Sequence, residues 1–224
     1  MENIKYISLG GWCGTSFGLR GNGLRDCSLP FDWVRSKFEG VIDCIDTNFS
    51  NFFPYPLIRE ENRDGSLFAY RGKNFSFYHD DFSNGRHWKK FSRRIRRFKK
   101  ILNNSKQVVF MRTIITNDYE LETKQTNNFH EVVNKKYPNL KYILIYVIPN
   151  QNVTSYYTNL DNKTFIFTID DRFGGNSAMK VHYKPIFDFT RKNNLFETIP
   201  EPTEIDIVRE STLLEFGNRP IFIE

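Results

Sequence analysis

The sequence is poor in cysteine, and the cysteines that it has form no metal-binding or disulfide pattern. They are Cys13, Cys27 and Cys44, and no CxxC pair occurs. An odd count without paired spacing argues against a disulfide framework and against a structural zinc site. Cys27 and Cys44 are therefore expected to be small buried side chains, and no metal site is expected.

Long hydrophobic runs and targeting signals are also missing. No apolar stretch approaches the roughly 20 residues needed to cross a bilayer, and the first residues lack the basic and then apolar order of a signal peptide. We therefore expect a cytoplasmic protein without a transmembrane segment. The chain has 224 residues, 22 of them Phe and 11 Tyr, which is enough for one domain, residues 1–224, with an aromatic core.

Acidic residues are absent from residues 86–106, which hold ten Lys or Arg. The remaining 22 basic and 26 acidic residues sum to −4, so the net charge of +6 arises in this one segment. Apolar side chains recur in it every three or four positions and predict an amphipathic helix over 86–103: Trp88, Phe91, Ile95, Phe98 and Leu102. Its basic face could bind polyanions. No nucleic-acid motif accompanies it, so a nucleic-acid partner is not expected and a solvated face is the ordinary outcome.

Short apolar runs alternate with helical patterns along most of the chain. They predict strands at 4–9, 107–111, 142–148 and 164–169, helices at 120–137 and 183–193, a hairpin formed by 68–70 and 75–78, and a terminal strand at 220–223. Residues 48–66 are predicted to be a surface excursion, and 178–224 a mixed C-terminal part. Strands that are apolar on both sides imply a sheet covered on both faces. The predicted fold is a three-layer, Rossmann-like α/β sandwich with a mostly parallel sheet.

Cys13 lies between the first predicted strand and a possible helix beginning near residue 15. A thiol at the positive end of a helix dipole has its thiolate form favoured, as a nucleophile requires. The preceding Gly10-Gly11 pair could instead cradle a phosphate. In open parallel sheets ligands bind beyond the carboxyl ends of the strands, so Cys13 and Arg112 are expected to share one edge of the sheet.

Several motifs between residues 5 and 150 resemble a family of bacterial and viral proteins described as papain-like cysteine peptidases. They are Ser8-Leu9-Gly10, Cys13, Leu19-Arg20, Leu24-Arg25, Ser28, Pro30-Phe31-Asp32-Trp33, Ser36, Phe77-Tyr78-His79-Asp80, Arg93-Arg94, Arg97 and Val109-Phe110-Met111-Arg112. The resemblance implies a nucleophile at Cys13 with a histidine partner. Papain-like enzymes pair a helical lobe with a β-barrel lobe, which differs from the α/β pattern above.

A cysteine hydrolase also needs an imidazole and a group that orients it. Of the four histidines, His87 adjoins the basic segment and His130 is expected to be exposed on a helix. His79 is preferred as the base, and His182 is the alternative. Asp32 is the candidate orienting group, although it could equally cap a helix that begins after it.

Arginines support a different hypothesis, a sugar-nucleotide-dependent, glycosyltransferase-like enzyme. Bidentate donors of this kind suit a diphosphate, and the candidates besides Gly10 and Gly11 are Arg20, Arg25, Arg94, Arg97 and Arg112. A nucleotide-sugar donor would then be the cosubstrate, whereas the hydrolase hypothesis requires no cofactor. The substrate, whether a peptide, a glycan or another small molecule, and the oligomeric state stay open.

Overall fold

The fold is built on a five-stranded sheet in which four adjacent strands are parallel. A computed structural model describes residues 4–53, 57–114, 119–149, 151, 155–158, 161–170 and 175–203. The parallel strands are β1 (Lys5–Ser8), β6 (Gln107–Thr113), β7 (Lys141–Ile148) and β9 (Thr164–Thr168), adjacent in that order. An antiparallel strand that the sequence did not predict, β8 (Ser155–Thr158), pairs with β9 at the other edge.

Alternation along the parallel strands produces two cores, one on each face of the sheet. In β6, Val108 and Phe110 face one core, whereas Val109 and Met111 face the other. Helices α1 (Gly14–Gly21) and α6 (Gly175–Lys192) pack together and cover the second face. The first face is covered by α2 (Phe38–Asp46), α3 (Arg86–Asn104) and α5 (Thr126–Lys136). The predicted three-layer α/β arrangement is therefore confirmed.

A second sheet of four antiparallel strands lies against the first core. Its strands are β2 (Val34–Ser36), β5 (Phe75–Phe77), β4 (Leu67–Arg71) and β3 (Ile58–Glu61), in that order. The predicted hairpin is confirmed as the β4–β5 pair. The described residues form two open sheets covered by helices, and neither a helical lobe nor a β-barrel lobe of the papain kind.

Two regions differ from the sequence prediction because their aromatic side chains are buried by distant elements. Residues 48–66 are not merely a surface excursion, since Phe49 and Phe52 lie in the core and β3 belongs to the second sheet. Phe31 lies at the centre of this core, with the rings of Phe49, Phe52 and Phe98 within 5.8 Å of its own. Aromatic contacts of this type stabilise a core beyond the area that they bury.

The helices also differ in their limits. The helix predicted after Asp32 is wrong at its start, because Val34–Ser36 is strand β2 and α2 begins at Phe38. The helix predicted over 120–137 is divided into α4 (Tyr119–Thr123) and α5. Helix α6 begins eight positions before the predicted 183–193, and the terminal strand predicted at 220–223 lies outside the described residues.

His130 is buried rather than exposed, which corrects the sequence expectation. It lies on α5 with its Nδ1 2.9 Å from the Tyr142 hydroxyl and its Nε2 2.6 Å from the Asp161 carboxylate. Burial raises the pKa of Asp161, but the hydrogen bonds from His130 and from the Lys163 amide outweigh it, and the net pKa is lowered. These contacts fasten α5 to β7 and to the residues before β9.

No helix of the described part of the chain could span a membrane.

Candidate functional site

A tight glycine turn between β1 and α1 sets the position of Cys13. Gly10 and Gly11 have φ values of +77° and +91°, and a Cβ atom on Gly11 would lie 1.9 Å from the carbonyl oxygen of Thr113. Only glycine fits this approach of the turn to β6. The two amides donate to the hydroxyls of Ser8 and Ser36, at 3.2 and 3.1 Å. Since both amides are used within the fold, the expected phosphate cradle is not supported at this pair.

Cys13 is the residue that immediately precedes α1, and its half-buried thiol belongs to no disulfide. Its carbonyl oxygen accepts the first hydrogen bond of the helix from the Phe17 amide, at 3.0 Å. The unpaired amides of the first turn give this end of a helix a partial positive charge, which favours an anion there. The other two thiols are different: burial is the main cause of a raised pKa for both Cys27 and Cys44.

Arg35 is a candidate site residue that the sequence did not predict. It is buried in β2, with its guanidinium carbon 5.2 Å from the centre of the Tyr78 ring. Burial is the largest influence on its pKa and lowers it, whereas Tyr78 and Cys13 act in the opposite direction. The electrostatic attraction between Arg35 and Cys13 is mutual, so this guanidinium favours a thiolate at Cys13. No local pattern in the sequence marks Arg35, because strand β2 is only three residues long.

Asp32 is buried, 1% exposed, and its described contacts fix a turn. Its Oδ2 accepts hydrogen bonds from Arg25 Nε, at 2.9 Å, and from the Leu29 amide, at 2.8 Å. Burial raises the pKa of this carboxyl, and Arg25 opposes the rise. Arg25 in turn lies 4.8 Å from the centre of the Trp33 ring. The predicted position of Asp32 at a helix start is wrong, and its charged partner is a guanidinium rather than an imidazole.

His79 follows β5 and is exposed to solvent on one side. Its ring meets that of Trp33 edge to face at 6.2 Å, and Trp33 contacts Phe17 of α1 in the same way at 4.9 Å. Partial burial lowers the pKa of His79, Asp80 raises it and Lys90 lowers it further. His79 is therefore connected to the Cys13 helix through two aromatic rings, and the lowering of its pKa favours the neutral imidazole.

Asp80, rather than Asp32, is the acidic side chain that acts on His79. It is 2% exposed, contacts the Lys90 ammonium group and lies 3.4 Å from His87 Nδ1. Asp80 also counteracts the lowering of the pKa of Arg94 that burial causes. Asp80 thus forms a second cluster of charged side chains, close to His79, with Lys90 and Arg94.

The arginines proposed for a diphosphate have separate surroundings. Arg112 is completely buried, and its five N–H donors bond Leu9, Ser36 and Glu122, with both Glu122 oxygens at 2.9 Å. A guanidinium has five donors, so none remains for a ligand, and the expectation for Arg112 is corrected. Among the others, Arg25 pairs with Asp32, Arg94 is buried against the Phe91 ring, Arg97 is half-buried and acts on Cys27, and Arg20 is exposed over the Phe17 ring.

His182, the alternative base, lies half-buried on α6. Its neighbour Tyr183 contacts the hydroxyls of Thr15 and Thr113 at 3.3 and 3.1 Å. Helix α6 therefore packs directly behind the first turn of α1. No cluster of three metal-ligating side chains occurs among the residues for which a position is described.

These features define a reduced thiol at a helix N-terminus, beside a buried arginine, in an α/β protein. A family model described as "Putative papain-like cysteine peptidase" matches residues 4–152. The chain belongs to this family. It is also 28% identical to the "Uncharacterized protein R408" of Acanthamoeba polyphaga mimivirus, over 50% of this chain and 62% of that protein. The chain thus spans less than two thirds of this relative, and no solved structure gives a significant match.

Proposed function

We propose that the protein is a cysteine-nucleophile enzyme that hydrolyses or transfers acyl groups, with Cys13 as the nucleophile. The observation that carries the proposal is the placement of the Cys13 thiol at the start of α1 and within the electrostatic reach of Arg35. The helix end and the guanidinium both favour the thiolate, which is the reactive form of a thiol. Membership in a family described as papain-like cysteine peptidases supports the same class of chemistry.

In many cysteine enzymes one histidine both stabilises the thiolate by its positive charge and exchanges protons with the reactants. Here we assign the first task to Arg35 and the second to His79. Arg35 supplies a permanent positive charge within electrostatic reach of the sulfur. The lowered pKa of His79 favours its neutral imidazole, which can accept a proton. We assign the role of general base to His79. The carboxylate that raises the pKa of His79 is that of Asp80, which replaces Asp32 in this role.

The reaction follows from these assignments. The Cys13 thiolate attacks the carbonyl carbon of an acyl substrate, the bond to the leaving group breaks, and a thioester remains on the sulfur. The leaving group takes its proton from solvent, and His79 returns to solvent the proton that it gains in the next step. The amides of the first turn of α1 face the developing negative charge on the carbonyl oxygen. Water then attacks the thioester while His79 accepts its proton, which releases the acid and restores the thiolate.

A burst experiment tests the proposal without knowledge of the natural substrate. With p-nitrophenyl acetate, the wild-type protein should release one equivalent of nitrophenolate rapidly and carry an acetyl group on Cys13, identified by mass spectrometry. Cys13→Ser should show neither, and Cys27→Ser is the matched control that keeps both. His79→Asn should keep the burst and slow the following steady rate about 100-fold, as loss of a general base does. A wild-type protein without a burst, or with acetylation spread over Cys27, would sink the proposal.

A further inference from the structure

The face of the antiparallel sheet opposite the aromatic core carries a row of buried polar side chains. Arg35 of β2 pairs with Ser76 of β5, and Ser76 pairs with Arg71 of β4, so the three residues lie side by side. Their neighbours along the strands, Val34 and Phe77, point the other way, into the aromatic core. Residues paired across a sheet share a face. The two arginines therefore project from the same face, on either side of Ser76.

Both guanidinium groups are buried, which is costly unless anions accompany them. Arg35 is 5% exposed and Arg71 is 0% exposed. The Tyr78 ring lies against both, 5.2 Å from the carbon of one guanidinium and 5.6 Å from that of the other. The like charge of Arg71 contributes to the lowered pKa of Arg35, after burial. The two cations are thus near neighbours in one enclosed region.

Arg71 has donor capacity that the described residues leave unused. Its Nε lies 2.6 Å from Glu60 Oε1, and its Nη1 donates to the Tyr78 hydroxyl at 3.1 Å. Its Nη2 is buried and, within the part of the chain that the structure describes, has no hydrogen-bond partner. A buried, unpaired donor of this kind is rare in proteins, and a bound water or anion would satisfy it. Glu60 is half-buried on β3, the edge strand of this sheet.

We propose that Arg71 and Arg35 form a subsite for an oxyanion, the carboxylate of an acidic acyl substrate, next to Cys13. This inference rests on the proposed function of Cys13. When the thiolate is acylated, the negative charge beside Arg35 disappears, and a carboxylate on the acyl group restores it. A guanidinium fork binds a carboxylate with two parallel hydrogen bonds. The enzyme therefore selects acyl groups that carry a negative charge over neutral ones.

Alkylation with an anionic and a neutral reagent tests the subsite. The Cys13 thiolate displaces iodide from iodoacetate or from iodoacetamide, forming a carbon–sulfur bond as the carbon–iodine bond breaks. The ratio of the two rates at Cys13, divided by the same ratio for free cysteine, should be about ten, since a charge-assisted hydrogen bond contributes about 1.5–3 kcal/mol. Arg71→Met should return the normalised ratio to about one, and Arg71→Lys should retain part of it. Arg63→Met, at an exposed arginine, is the matched control.

Protection experiments on the wild-type protein keep the test decisive if the Arg71 variants do not fold. At constant ionic strength, succinate should slow iodoacetamide labelling of Cys13, and inorganic phosphate should not. Protection by phosphate alone would overturn the carboxylate assignment in favour of a phosphate ester. A normalised ratio near one, with Cys13 still reactive at neutral pH, would overturn the subsite and leave the proposed nucleophile intact. An unreactive Cys13 would remove both.

Discussion

At the scale of single residues, arginine has three different tasks in this protein, and its surroundings decide which. All five N–H donors of the Arg112 guanidinium form hydrogen bonds within the fold. Arg35 is buried beside the Tyr78 ring, and Cys13 lies within its electrostatic reach. Arg93 and its exposed neighbours on α3 are simply solvated. A sequence contains the residue type but not these neighbours, which is why Arg112 resembled a ligand-binding residue and Arg35 was overlooked.

Removal of Arg112 should destabilise the protein strongly. Arg112→Met leaves Glu122, itself 5% exposed, as a buried and unpaired charge. Such a break costs about 3–5 kcal/mol, measured as the free energy of unfolding in urea. Arg93→Met, on the exposed face of α3, should change it by less than about 0.5 kcal/mol. A loss below about 1 kcal/mol for Arg112→Met would show that the pair does not fasten β6 to α4.

Lys90 should set the pH dependence of the step that uses His79. Lys90 lowers the pKa of His79 and also contacts Asp80, which raises it. Lys90→Gln removes the cation that lowers the pKa of His79, and it frees Asp80 from its ion pair with Lys90. Both changes should raise the pKa of His79. The acid limb of the steady-state hydrolysis rate should then move to higher pH, while Lys89→Gln, an exposed neighbour, leaves it in place. A shift to lower pH, or none, would exclude His79 as the titrating base.

At the scale of elements, the strands divide into those with a sequence signal and those without one. The runs that form β1, β6, β7 and β9 are apolar on both faces, and this pattern alone predicted them. Strand β2 is three residues long and contains Arg35, so its pattern merged with the helical spacing of α2. Its position depends on pairing with β5, a distant segment of the chain, and no local pattern records that contact. The site residue on it was missed for the same reason.

The glycine turn before Cys13 gives a sharp test of local structure. Gly11→Ala places a Cβ atom 1.9 Å from the Thr113 carbonyl oxygen at a φ of +91°, so the turn must separate from β6. We expect a loss of several kcal/mol in unfolding free energy, or no folded protein. Gly23→Ala is the matched control, because Gly23 also has a positive φ, +70°, but nothing within 4 Å, and it should cost about 1–2 kcal/mol. Equal losses in the two variants would contradict the described close approach.

At the scale of the whole molecule, the α/β class followed from the sequence, and so did the shared position of Cys13 and Arg112 at one edge of the sheet. The parallel strands place Cys13 and Arg112 at the same edge, as the carboxyl ends of β1 and β6 require. The second, antiparallel sheet supplies Arg35, Arg71 and the residues leading to His79. The packing of one sheet against another is a long-range property, so the sequence could predict the position of Cys13 in the fold but not the residues of the second sheet that lie near it.

The same long-range packing predicts how stability depends on pH. The folded-state pKa of Asp161 is lowered from 3.8, because the hydrogen bonds from His130 and the Lys163 amide outweigh the effect of burial. The stabilisation from Asp161 is therefore present above pH 3.8 and is lost as the pH falls through the lower, folded-state pKa. Asp161→Asn should cost about 1 kcal/mol at about pH 6 and nothing near about pH 2. Asp188→Asn, at an exposed aspartate, should show no such difference, and a constant cost for Asp161→Asn would refute the linkage.

The rate at which iodoacetamide labels each cysteine, followed by mass spectrometry across pH, tests the central claim most directly. The account predicts that Cys13 reacts at least about tenfold faster than Cys27 at about pH 6.5, because a thiolate is stabilised at Cys13 and burial raises the pKa of Cys27. Arg35→Gln should remove most of this difference, since the guanidinium beside Cys13 is lost. Labelling of Cys13 only above about pH 8, at the rate of Cys27 and unchanged in Arg35→Gln, would contradict it.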